Sequence, residues 1–135
     1  VKIKKPLGAA ENSDDRPSPI SVTVDSGICG FTCCIKAWKI DKRAVGLEIS
    51  ESECQQIRQY SKLLKKLTLR EVFAPVTANP VYLAAEQSGC HPSCPIPVAV
   101  LKGAEVSLEM ALPRDAYIRF ESCKKDVKLK SKNES

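Results

Sequence analysis

The stretch Cys90-His91-Pro92-Ser93-Cys94-Pro95-Ile96-Pro97 combines two thiols with the only histidine of the chain on a backbone stiffened by three prolines. Cysteine and histidine are soft metal ligands, so a rigid loop that carries them reads as half of a metal site. Cys94 precedes Pro95, a residue favoured at the first position of a helix, which sets its sulfur beside a helix start. Cys29 lies in the glycine-bracketed turn Gly27-Ile28-Cys29-Gly30-Phe31, where backbone N–H groups are free to point at a sulfur. Cys54 follows Ser50-Glu51-Ser52-Glu53, whose Ser-x-x-Glu spacing predicts a capping box and a helix from about residue 51. Helix N-termini and exposed N–H donors both favour the thiolate, the form that ligates metals.

Cys29, Cys54, Cys90 and Cys94 are therefore the candidate ligands, with His91 as a replacement for one thiolate. Four such groups match either a tetrahedral zinc site or an iron–sulfur cluster. The N–H donors beside Cys29, Cys54 and Cys94 are of the kind that tune cluster potentials, so an iron–sulfur cluster for electron transfer or sensing is the first reading. A structural zinc site in an interaction domain is the alternative, and a metal-free scaffold or a thiol redox protein stands beside it. Only Cys90 and Cys94 form a near pair, so the spacing is not the double Cys-x-x-Cys of common zinc modules. Catalysis is not expected. The chain has no Gly-rich phosphate loop, Gly-x-Ser-x-Gly or His-Glu-x-x-His, and sequence neighbours such as His91 and Cys90 seldom have nucleophile–base geometry.

These residues need a scaffold, and the hydrophobic pattern describes one. Ile20, Val22 and Val24 alternate with polar residues in a first strand. A second strand from Thr32 to Ile40 sets Cys33, Ile35, Ala37 and Lys39 on one face and Cys34, Lys36, Trp38 and Ile40 on the other. Cys33 and Cys34 therefore cannot share a site, and both read as fillers. Val45, Leu47 and Ile49 form a third strand, antiparallel to the second across the polar turn Asp41-Lys42-Arg43. Cys54, Ile57, Tyr60, Leu64 and Leu67 then follow at helical spacing. Thr68 to Phe73 predicts a short helical turn, and Asn79-Pro80 caps another helix ended by Gly89. Val98, Leu101, Ala104, Leu108, Ala111 and Leu112 mark a final helix, with Lys102, Glu105 and Glu109 outward. Ala116 to Glu121 reads as a last strand through Tyr117, Ile118 and Phe120. The expectation is an α+β domain: a small antiparallel sheet of three N-terminal strands plus a C-terminal strand, with helices on one face.

The whole of 135 residues suits one domain at 20–121, between a flexible segment at 1–19 and a flexible basic tail at 122–135. The net charge of +5 belongs largely to those ends: residues 1–20 carry four basic and three acidic groups, residues 122–135 five and two. The body is left near neutral, and its scattered aromatics offer no stacking platform, so nucleic acid is not an expected partner. No apolar run is long enough to span a membrane. Seven cysteines, an odd number, point to a reducing cytoplasmic setting and a protein or redox partner.

The motifs Gly27-Ile28-Cys29-Gly30-Phe31, Ser52-Glu53-Cys54 and Cys90 to Pro97 together resemble a functionally uncharacterised, cysteine-containing family of anaerobic bacteria and methanogens. The resemblance covers residues 20–121 and excludes Cys33, Cys34 and Cys123. It implies an intracellular, anaerobic setting suited to an oxygen-sensitive cluster, and brings no established activity.

Overall fold

The computed structural model describes residues 18–50 and 53–123. Four strands form one antiparallel sheet in the order β1-β2-β3-β4: β1 is Ile20–Asp25, β2 Thr32–Asp41, β3 Ala44–Ser50 and β4 Lys66–Thr68. The helices are α1 (Gln55–Leu63), α2 (Leu69–Val72), α3 (Pro80–Gln87) and α4 (Ile96–Ser107). The expected α+β class, an antiparallel sheet with helices packed against it, is the fold observed. The segments 1–19 and 122–135, read as flexible, lie outside the described residues except for residues 18, 19, 122 and 123.

Register explains the layering. Val22 pairs with Ile35 and Ile35 with Ile49, while Val24 pairs with Cys33, Ala37 with Leu47 and Val45 with Leu67. Directly paired residues share a face, so these side chains form one apolar layer under the helices. Ile35, Ala37, Val45 and Leu67 are fully buried in it, with Ile57, Tyr60, Val81, Ile96, Val100 and Ala104 closing it from the helix side. α4 lies against β1 and β2, where a Cβ at Gly103 would stand 3.1 Å from Val22 Cγ2. The missing side chain lets the helix approach the sheet closely. Cys33 is buried and Cys34 is on the open face near Ser21 Oγ (3.4 Å), as strand alternation requires.

The fourth strand is not the expected one. Leu67 continues the apolar spacing of α1, yet that helix stops at Leu63, and Leu64 turns extended (φ −118°, ψ 96°). Thr68 and Glu71 form a reciprocal capping box that starts α2, with Glu71 N–H donating to Thr68 Oγ1 and Thr68 N–H to Glu71 Oε1. A helix that starts at Leu69 forces a non-helical approach, and Lys66–Thr68 takes it by pairing with β3. Ala116–Glu121, read as the last strand, is neither in the sheet nor covered among the described residues.

Helix limits also shift. Ser50-Glu53 does not start α1, whose N-cap is Cys54; Glu51 and Ser52 lie outside the described residues. α4 ends at Ser107 rather than reaching Leu112, because Glu109 adopts φ 64° and the Met110 N–H donates back to the Glu105 carbonyl. That is the Schellman arrangement, made here with a non-glycine residue. Glu109 reaches Lys39 of β2 at 3.4 Å, which ties the end of α4 to the β2–β3 end of the sheet. Its buried stripe runs through Ile96, Val100, Ala104 and Leu108, whereas Val98 is exposed.

Two substitutions test this account. On the open face the Trp38 indole lies over Gly46, its pairing partner, and a Cβ at Gly46 would overlap the ring. Gly46→Ala should lower stability by about 1–3 kcal/mol, and adding Trp38→Ala should recover part of the loss, read by chemical denaturation. Asn79 is 2% exposed; its Nδ2 donates to the Val72 and Ala74 carbonyls, and its Oδ1 accepts from Val81 N–H. Asn79→Ala should cost about 1–3 kcal/mol in the same assay.

Candidate functional site

Each candidate cysteine is set by a local backbone device. The chain leaves α3 through Gly89 at φ 75°, a left-handed conformation suited to glycine. The Cys90 N–H then donates to the Ala85 carbonyl and the Gly89 N–H to the Glu86 carbonyl, so Cys90 closes a Schellman cap. Four residues on, the Cys94 N–H donates to the His91 carbonyl, and the turn feeds α4 through Pro95. The Cys94 sulfur accepts from the Ile96 N–H, which is the helix-end position expected of it. Cys54 is the N-cap of α1, and its thiol donates to Gln56 Oε1 at 3.2 Å. Cys29 ends the short 3-10 turn Gly27–Cys29 and is exposed, as is His91 on the Cys90–Cys94 loop.

Cys54, Cys90 and Cys94 are half-buried and pack against the core. Burial pushes the Cys90 thiol up to about 11, and the neighbouring Cys94 and Cys54 add to the rise. Burial likewise raises Cys94, against the pull of the Ile96 N–H, with Cys54 and Cys29 adding to the rise. Tyr60, fully buried at the centre of the helix layer, donates its hydroxyl to the Val81 carbonyl at 3.1 Å. Burial first, then Cys90 and Cys94, raise its phenol as well. The fold thus brings the three half-buried thiols into one neighbourhood, with Cys29 on its margin.

Neighbourhood is not a ligand shell. Among the described residues no three Cys, His, Asp or Glu side chains are grouped closely enough to hold a metal ion. The four-cysteine metal centre expected on Cys29, Cys54, Cys90 and Cys94, with or without His91, is therefore corrected, and with it the iron–sulfur cluster and its zinc alternative. The physical reason is geometric. Cys54, Cys90 and Cys94 sit at the ends of separate helices, and the packing of those helices brings the sulfurs near one another without converging three of them on one point. Burial of Cys90 and Cys94 opposes the thiolate that the helix ends favour. No two of the seven cysteines are joined in a disulfide.

The surface feature that hydrophobic patterning misplaced lies after α4. Leu112, Tyr117, Ile118 and Phe120 are 79%, 71%, 83% and 94% exposed on a segment with no sheet partner among the described residues. Arg119 stacks over the Tyr117 ring with its guanidinium carbon 5.4 Å from the centroid. The alternation was legible as a strand, but nothing in the pattern says whose sheet it joins.

The matched segment runs from the start of β1 to the end of this apolar stretch. The chain belongs to a family of unknown function, DUF6951, whose model matches residues 20–120. No curated protein and no solved structure matches the chain. No helix among the described residues is long and apolar enough to cross a membrane.

The raised Cys90 thiol has a pH consequence. Its folded value exceeds its unfolded one, so burial of the neutral thiol stabilises the fold below the ordinary thiol pKa, and that contribution is lost as pH rises through about 11. Denaturation midpoints followed from about pH 8 to about pH 12 should fall more steeply for the native chain than for Cys90→Ala. Equal slopes would show that Cys90 titrates as an exposed thiol.

Proposed function

We propose that this domain is a metal-free protein-binding module that takes its partner through the exposed segment Ala116–Glu121. One observation carries the reading: Tyr117, Ile118 and Phe120 stand exposed within four residues, on a segment of strand-like alternation. Single exposed apolar residues are ordinary, but a run of them marks a contact surface. Covering each of the three would contribute about 1.5–3 kcal/mol, enough in sum for specific association. A segment of this alternation, taken up in extended form, binds by adding a strand to a sheet edge, where main-chain hydrogen bonds give affinity and alternate side chains give specificity.

The half-buried thiols of Cys54, Cys90 and Cys94 fit this reading as packing groups at the α1, α3 and α4 termini. Seven cysteines outside disulfides support a reducing, cytoplasmic setting, which the sequence resemblance also implies. The near-neutral body supports a protein partner over nucleic acid.

Quantitative affinity capture with the tagged full chain and with Ile118→Asp/Phe120→Asp tests the proposal. The native chain should retain a protein, which can be an untagged copy of itself, that the double variant loses by roughly tenfold or more at unchanged circular dichroism. Equal recovery of every retained protein by both chains would refute it.

A further inference from the structure

We infer that the partner is a second copy of this chain, and that Ala116–Glu121 of each copy adds to the outer edge of strand β1 in the other. The inference rests on the protein-binding reading and names its partner.

The sheet ends in β1 and β4. β4 is only three residues long and contains Lys66, one of the devices that discourage edge pairing. β1 has six residues, Ile20-Ser21-Val22-Thr23-Val24-Asp25, with no lysine, arginine or proline to protect its edge. Ala116–Glu121 matches it in length.

The side-chain pattern matches too. Ile20 and Val22 on the helix side of β1 are only half-buried, whereas Val24 is buried, so among the described residues the apolar layer is incomplete along this margin. Gly103 of α4 sits over Val22, and Ala99 and Val106 lie on the same helical face, both half-buried. A strand placed outside β1 with Ile118 and Phe120 on the helix side would complete that layer. In the antiparallel sense its other face would set Tyr117 opposite Asp25 and Arg119 opposite Thr23, which leaves the guanidinium diagonal to the Asp25 carboxylate on the open side of the sheet.

Chain direction favours a second copy over the chain's own edge. Cys94, before α4, neighbours Cys29, just past the end of β1. Glu109, after α4, reaches Lys39, near the start of β1, since Ala37 pairs with Ile20. α4 thus runs opposite to β1, and a segment folding straight back along its own β1 would lie parallel to it. Every other pair in the sheet is antiparallel. A second copy can present β1 in the antiparallel sense, and reciprocal exchange closes a two-fold dimer in which both edges are covered.

Sedimentation equilibrium of the full chain, combined with amide hydrogen exchange, tests this. The native chain should be a dimer in which the amides of 116–121 and of β1 are protected together. Phe120→Asp should raise the dimer dissociation constant by roughly tenfold or more and release both sets of amides, with circular dichroism unchanged. A dimer indifferent to Phe120→Asp would overturn the exchange. A monomer with rapidly exchanging 116–121 amides would overturn the second-copy partner and leave a different protein as the partner. A monomer with those amides protected would mean that the segment folds onto its own edge, overturning both this inference and the binding reading.

Discussion

The Tyr60 hydroxyl, buried and bonded to the Val81 carbonyl, is the contact on which the helix layer depends. It ties α1 to the first turn of α3 across the middle of the domain. A phenol placed there must find a partner or leave a polar group stranded in apolar surroundings. Once it is bonded, the N-terminus of α1 and the C-terminus of α3 are held close, and Cys54 and Cys90 with them. Cys94 follows because the α3–α4 loop is short. The meeting of thiols is thus a by-product of how three helices are seated over one sheet, not evidence of a coordination site.

The same packing explains why the cysteine chemistry differs from what the motifs imply. A helix N-terminus supplies a modest, local preference for negative charge. Desolvation acts on the whole sulfur and opposes charge. At Cys94 both effects operate on one atom, the Ile96 N–H pulling down and burial pushing up, and burial wins. A capped, half-buried cysteine is then a small, polarisable core residue with an occupied hydrogen-bond position.

Strand residues are where local pattern carried furthest. Alternation placed Cys33 and Cys34 on opposite faces and gave β1, β2 and β3 their inward sets, because the side-chain period of a strand leaves no other assignment. The Asn79-Pro80 cap and the Gly89 stop were legible for a similar reason, since each depends on residue types with few conformational options. Leu67 shows the limit. Its spacing from Tyr60 and Leu64 suits a helix, but the Thr68–Glu71 capping box begins a new helix after it, and pairing with β3 settles the conflict. The box could have been read from Thr68-x-x-Glu71, and it was masked by an apolar stripe that ran on past the true helix end.

By itself, then, the amino-acid order determined the α+β class, the faces of the first three strands and the caps of α3. These are properties of neighbours in the chain or of a fixed period along it. Tertiary structure decided the rest: that Lys66–Thr68 rather than Ala116–Glu121 is the fourth strand, that Val100 rather than Val98 is buried, and that the described sulfurs are neighbours without a ligand shell. Sheet partners, burial and sulfur–sulfur separation are set by groups distant in sequence, and no local pattern encodes the distance between them.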